Sequence, residues 1–415
     1  MDLKRKIMIT LGLIVLYRLV SAVPAPGVQY DNVQTCVASA ADSPLYSAIS
    51  LLSGGTLFQL SLLALGVIPY ITASIILQLL QAVVPRIKTL YDEGASGQAK
   101  ITQYTRYLTI GLAGVQAGTL VVLASTPGRL MPGCDLPLMA EGTLAATTAV
   151  LALTAGALLL MRVGEIMTER GVGNGMSVLI TVSILAGTPQ LLASIYAAKG
   201  VWFLAAFVAI LVVIFAVIAH IEQAQRRVPV VYTRENAPGR TGRTSSYLPL
   251  KLNPSGVLPI IFASSLLYSA TIVASFFPDA GWAVWVERNF SVGDGLWMVA
   301  YITMIIGFSF FYIPFVADPV KLNRDIQTRG GFIPGFRPGS ETVKYLAFLT
   351  NRLTAFGGLY LAAIAILPAL FSSTSGVQQA FLGGTSILIV VTVGIQVFSQ
   401  YSVYRESESL TGFLR

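Results

Sequence analysis

The sequence predicts a polytopic all-α membrane protein with ten transmembrane helices in two inverted five-helix halves and a short re-entrant helix in the first. Three observations predict it. The chain is 54% apolar and only 11% charged over 415 residues, with a mean hydropathy of +0.72, which excludes an ordinary soluble domain. Ten apolar stretches approach the ~20 residues needed to cross ~30 Å of hydrocarbon. Parts of the first half also recur, in order, in the second. IPYITAS (68–74) is echoed by LPIIFAS (258–264) and GMSVLI (175–180) by GTSILI (384–389), at offsets of 190 and 209. Apolar helices share few letters and can match by chance, but two echoes in one order favour a duplication. Repeated halves often hold the functional site of a transport fold at their interface.

Taken in order, spans are expected at 7–23, 61–84, 104–124, 143–163, 174–194, 200–221, 255–275, 296–316, 343–371 and 381–403. The first follows MDLKRK like a signal peptide, but no small-residue cleavage site is evident and VPAPG comes next, so it is read as a retained span. The stretch 44–81 is not one plain helix. Leu45–Leu52 is too short to cross, Ser53-Gly54-Gly55 interrupts it, and the apolar run then continues to Val84 with Pro69 inside. Broken backbone at membrane depth is tolerated only where protein buries it or it lines a cavity. The first piece is therefore read as re-entrant. The halves are placed at 1–194 and 195–415.

Positive charge sets the orientation. Of 27 Lys and Arg, 22 fall on one side and only Arg129, Lys199 and Arg288 on the other. The rich side is expected to be cytoplasmic, with both termini inside. None of the 19 carboxylates falls mid-span. That weighs against an ion-coupled secondary transporter, which usually needs an intramembrane acid or histidine, but a carrier using backbone carbonyls stays open. A scaffold or insertase without a pore is a third reading. His220 and two cysteines give no metal-ligand set, so no metal or cofactor is expected. Cys36 and Cys134 both fall on the external side. Nothing fixes their separation, so two free thiols are expected rather than a disulfide. GVGNG (171–175) lacks the Lys-Ser or Lys-Thr of a phosphate loop and is read as a helix start, with Asn174 near its N-terminus.

Depth can be counted from the charges. Ile180 follows Arg170 by 10 residues, Ile261 follows Lys251 by 10, Ile71 precedes Arg86 by 15 and Ile389 precedes Arg405 by 16. At ~1.5 Å per residue they lie roughly 15–24 Å from a cytoplasmic charge, at or somewhat beyond the midplane. Val67 and Met176 lie one turn from Ile71 and Ile180. Together these residues can make an apolar ring that gates by dewetting; ordinary packing accounts for the spacing equally well. Two basic loops, 222–253 and 321–344, carry Pro and Gly structure that charge bias alone does not explain. In the first, VPVVY and SYLPLKL are read as hairpin arms. Such patches suit RNA, lipid headgroups or acidic proteins.

A series of segments along the chain carries a resemblance. RLVSAVPAPGV, SGGTLFQLSLLALGVIPYITASIILQLL, GQAKITQYTRYLT, GEIMTERGVGNGMS, QRRVPV, LPLKLNPSGVLPIIFASS, GGFIPGFRPG and FLGGTSILIVV come in the order the SecY family has them. The chain resembles that family, the central channel subunits of the Sec translocon. The resemblance implies a non-enzymatic, passive pore in a bacterial plasma membrane. It would translocate unfolded, signal-bearing polypeptides and release membrane segments laterally into lipid. It implies a pore ring of Val67, Ile71, Met176, Ile180, Ile261 and Ile389. It implies a plug at about 44–60 that includes Ser47, Ile49, Leu52, Gly54 and Gly55, and a lateral gate with Thr72 facing Ser269. Arg226, Arg227 and Arg337 match positions that meet the ribosome or a motor. The implied partners are SecE, SecG, the SecA motor ATPase, the ribosome, precursor polypeptides and the lipid bilayer. Three departures stand out: Ser269 where a bulky apolar residue is common, Met176 in place of Ile, and the weakly basic turn ENAPGRTGRT.

Overall fold

The computed structural model describes residues 3–40, 56–127, 130, 134, 136–140, 142–236, 240–275, 280–290, 295–375 and 384–413. The described chain is mainly helical, with one small sheet. Helices α1 (Leu3–Ser21), α2 (Tyr30–Ala40), α3 (Ile68–Val83), α4 (Pro85–Asp92), α5 (Ala95–Ser125) and α6 (Thr143–Arg170) come first. Then come α7 (Gly175–Ala197) and α8 (Lys199–Gln223), with a kink between them marked by Gly200, near the start of α8, whose φ of 81° is not helical. Strands β1 (Gln225–Asn236) and β2 (Arg240–Lys251) follow. Next come α9 (Leu258–Ser275), α10 (Gly281–Asn289), α11 (Gly295–Val316), α12 (Pro319–Thr328), β3 (Gly331–Phe332), α13 (Ser340–Ser375) and α14 (Gly384–Phe413).

Among the described residues, seven helices are long and apolar enough to cross a membrane, or eight if α3 and α4 form one bent span. The chain is a multi-pass membrane protein. Several boundaries differ from the expected ones. Residues 56–66 are turns rather than span, and α3 starts at Ile68. Pro69 is the reason: it has no N–H and its ring clashes with a preceding helical turn, so it belongs in the first turn of a helix. At the other end Pro85 pushes Val84 out of helical conformation (φ −104°, ψ 107°), and the chain bends by 106° into α4. Helices α6 and α8 also run past their expected spans, so Glu165 and Glu222 lie near helix ends rather than in loops.

The chain divides into two compact units, Met1–Ala205 with Phe371–Arg415, and Ala206–Leu370. The core of the first joins α2 (Val33, Cys36), the strap 56–66 (Phe58, Leu60, Ala64), α5 (Ala113, Ala117) and α6 (Ala149, Leu153). Alanines on α5 and α6 let the backbones approach closely. The strap is irregular yet buried, so its polar backbone needs partners. It finds some within itself, as where Ser61 N–H donates to Thr56 at 3.2 Å, and others outside: Ala25 N–H donates to the Leu60 carbonyl at 3.0 Å and Leu62 N–H to Val23 at 2.8 Å. A Cβ on Gly156 of α6 would run into the Leu62 carbonyl oxygen. Gly156→Ala is therefore expected to cost about 3 kcal/mol, the upper end for overpacking. The check is the melting temperature in detergent, and an unchanged melt would show that the strap yields freely.

Cys36 and Cys134 are joined in a disulfide, with Cα atoms 5.4 Å apart. This corrects the expectation of free thiols. The separation is fixed by local backbone pairing: Gln29 N–H donates to Leu138 at 2.9 Å and Ala140 N–H to Gly27 at 2.8 Å, which lays the segment after α5 along the start of α2. Among the described residues two candidate crossings, the bent pair α3–α4 and α5, separate the cysteines. Both thiols therefore emerge on one side, as the bond requires.

In the second unit the sheet has the order β2-β1-β3. The arms pair antiparallel, with Val228 opposite Leu248 and Tyr232 opposite Thr244. The expected hairpin is present, and it gains a third strand through Val231 and Phe332. Val228, Val230 and Leu250 bury with Ile326 of α12, Ile333, and Leu346 of α13. The period-two alternation of β1 thus points Val228 and Val230 at the helices.

Candidate functional site

The ring candidates of the first unit sit on three helices. Val67 caps α3, and its carbonyl accepts from Ile71 N–H at 3.1 Å, so the two stack on successive turns. Val67 is buried and Ile71 half-buried. Met176 and Ile180 occupy the first turns of α7. Asn174 starts that helix, as expected: its Oδ1 accepts from the N–H groups of Met176 (3.1 Å) and Ser177 (3.4 Å). Ahead of the cap, Gly173 N–H donates to Gln400 Oε1 of α14 at 2.7 Å. Ile389, 3% exposed, lies on this same α14. Tyr17 of α1 and Ser183 of α7 share a hydrogen bond of 2.6 Å. Helix α7 presses on α6 so closely that a Cβ at Gly164 would meet the Met176 sulfur. A flexible thioether suits such a tight seat. Ile261 lies in the second unit, half-buried on α9, with its N–H donating to Val257 at 3.3 Å.

The plug candidates Ser47, Ile49, Leu52, Gly54 and Gly55 lie outside the described residues. Of the gate candidates, Thr72 is on α3 in the first unit and donates its hydroxyl to Ile68 at 2.9 Å. Ser269 is on α9 in the second unit, and its side chain lies outside the described set. Arg226 and Arg227 are exposed on β1, with the Arg227 guanidinium 5.0 Å from the Tyr247 ring centroid. Arg337 is exposed between β3 and α13. Its backbone is fixed on both sides, the N–H donating to Glu341 at 3.2 Å and the carbonyl accepting from Thr342 at 2.9 Å.

One polar cluster escaped the sequence reading. Glu165 of α6, buried, accepts two bonds from Arg106 of α5 (2.7 and 3.0 Å) and one from Arg162 (2.9 Å). A bidentate guanidinium–carboxylate fork is among the stronger side-chain contacts. Arg106 and Glu165 are 59 residues apart, and no spacing rule pairs residues across separate helices. Arg106→Leu is expected to cost about 2–3 kcal/mol because it strands most of a buried charge. Arg162, 61% exposed, should cost under about 1 kcal/mol when replaced by leucine. Equal losses in thermal melts would refute this ordering. Among the described residues no group of His, Cys, Asp or Glu is placed to hold a metal ion.

A family model described as SecY matches residues 61–398. The chain belongs to the SecY family. SecY relatives, each described as Protein translocase subunit SecY, are similar over the whole chain. Those of Micrococcus luteus and Streptomyces galbus are 45% and 43% identical, across 100% of this chain and 97% of theirs. Solved structures agree on the fold. One is a SecY channel studied for a plug domain that stabilises its closed state; it aligns with a TM-score of 0.64 at 19% identity, covering 98% of this chain and 93% of that one. Another is Sec61 in a canine ribosome–channel complex from the endoplasmic reticulum, with a TM-score of 0.61 at 17% identity, covering 98% and 94%. SecY membership sets aside the ion-coupled carrier that the repeated halves had left open.

Proposed function

We propose that this chain is the channel-forming subunit of a protein translocase in a bacterial plasma membrane. The carrying observation is its full-length similarity to translocase subunits at more than 40% identity. The channel is passive and catalyses no covalent step. Energy comes from an ATP-driven motor such as SecA, from a translating ribosome, or from the membrane potential, which is worth ~2.3 kcal/mol per charge per 100 mV. SecE and SecG are the expected small subunits. Both termini and the two basic loops face the cytoplasm.

The closed state holds an apolar ring of Val67, Ile71, Met176, Ile180, Ile261 and Ile389, sealed on the outside by a plug that includes Ser47, Ile49, Leu52, Gly54 and Gly55. The two halves, 1–194 and 195–415, part along a seam that carries Thr72 and Ser269. A hydrophobic signal segment prefers that seam to water, and its preference shifts the population towards the open state. Arg226, Arg227 and Arg337 are exposed where an acidic or RNA-bearing partner can reach them.

The test uses inverted membrane vesicles depleted of this chain and then reconstituted with it. With SecA and ATP present, a signal-bearing precursor should become protected from protease only when this chain and an intact signal are both present. No protection from well-folded chain with SecE would overturn the proposal.

A further inference from the structure

Away from the ring and gate candidates, a group of polar side chains sits where the hairpin meets the membrane helices. Strand β1 continues from α8, and β2 leads through a short turn into α9. At that base Asn253 is 3% exposed. Its Nδ2 donates to Glu222 of α8 at 2.9 Å and to the Gly256 carbonyl at 3.0 Å. Its Oδ1 accepts from the buried hydroxyl of Ser255 at 3.2 Å. Beneath the hairpin, Leu252 N–H donates to the Ala224 carbonyl at 3.0 Å. Gly256 holds a φ of +63°, a left-handed turn suited to glycine, and α9 begins two residues later at Leu258. Helix α13 backs the joint: a Cβ on Gly357 would lie 3.2 Å from the Leu252 carbonyl oxygen.

The hairpin is not a loose arm. Val228, Val230 and Leu250 share one apolar core with α12, Ile333 and α13, so β1 and β2 are packed onto this support. Displacing this buried amide would break all of these bonds together. The amide clamps the last residues of the hairpin to α8 and at the same time shapes the turn that starts α9.

We propose that Asn253 is a positioning residue. It transmits the seating of a partner on the hairpin into the first turn of α9, the helix that carries Ile261 and Ser269. The proposal rests on the channel reading and deepens it. Glu222 is the acceptor that anchors the amide, so an uncharged acceptor of the same shape suffices there.

The test has two arms, run on the full chain. In lipid nanodiscs, Asn253→Ala should speed amide exchange of residues 256–262 by about tenfold while β1 residues 228–232 stay at the parental rate. Glu222→Gln should match the parent at both. In reconstituted vesicles Asn253→Ala should bind SecA with unchanged affinity yet translocate about fivefold more slowly, and Glu222→Gln should translocate normally. If Asn253→Ala does not accumulate, Gly357→Ala serves instead, with the same pattern at about twofold. The proposal is overturned if translocation is parental, or if it falls only in step with SecA binding. It is equally overturned if exchange at 256–262 is unchanged. A parent chain that never translocates would fail the channel reading instead, and the exchange arm would still decide the joint.

Discussion

Ile389→Asn is expected to let precursors with defective signal sequences through. The residue is 3% exposed on α14, and the proposed ring uses its apolar side chain to keep water out of the closed state. An amide in that place costs about 1–3 kcal/mol of closed-state stability if no partner is available. A bias of that size shifts a closed–open equilibrium by about 5- to 150-fold. The open state, where the ring is wetted, suffers little. Ile71→Asn and Ile261→Asn should act in the same direction, more weakly because both positions are half-buried. Ile389→Val, which keeps the apolar surface, should behave as the parent. Export of a signal-defective reporter reads the effect. Unchanged rejection by an Ile389→Asn chain that accumulates normally would remove Ile389 from the ring.

The second large effect concerns the disulfide. Cys36 and Cys134 are 98 residues apart in sequence, and a bond closing a loop of that size restricts the unfolded chain strongly. Losing such a bond typically costs about 2–5 kcal/mol. Membrane helices already confine the unfolded chain, so the lower end of that range is expected here. The paired variant Cys36→Ala, Cys134→Ala should melt several degrees below the parent, and the parent should fall towards it on reduction. Nonreducing gels should show faster migration for the parent than after reductant. Two thiols that both react with a maleimide in the unreduced, denatured parent would contradict the bond.

What the sequence made legible follows from how local each signal is. Asn174 caps α7 through its own near neighbours, and the hairpin arms announce themselves by alternation, so both could be read directly. The start of α3 was misplaced because hydropathy continues smoothly across residues 61–67, while the decisive constraint is one missing N–H at Pro69. The disulfide and the Arg106–Glu165 fork were out of reach. Each depends on two segments meeting in space, and a single sequence carries no record of the meeting. Strand β3 escaped for another reason: a two-residue strand has no period to detect. Of the ring, depth and repetition could select the isoleucines, whereas their roles came from family resemblance.

The strap at 56–66 also constrains how the protein is made. Its carbonyls and amides take partners from residues 23–25, and its path needs the bare backbone of Gly156 on α6. Helix α6 emerges from the ribosome well after the strap does. Until then the Leu62 carbonyl has no groove to enter. The segment takes its seat against Gly156 only when α6 arrives. Docking of the strap is thus ordered in time, set by a helix about a hundred residues downstream of the piece it locks.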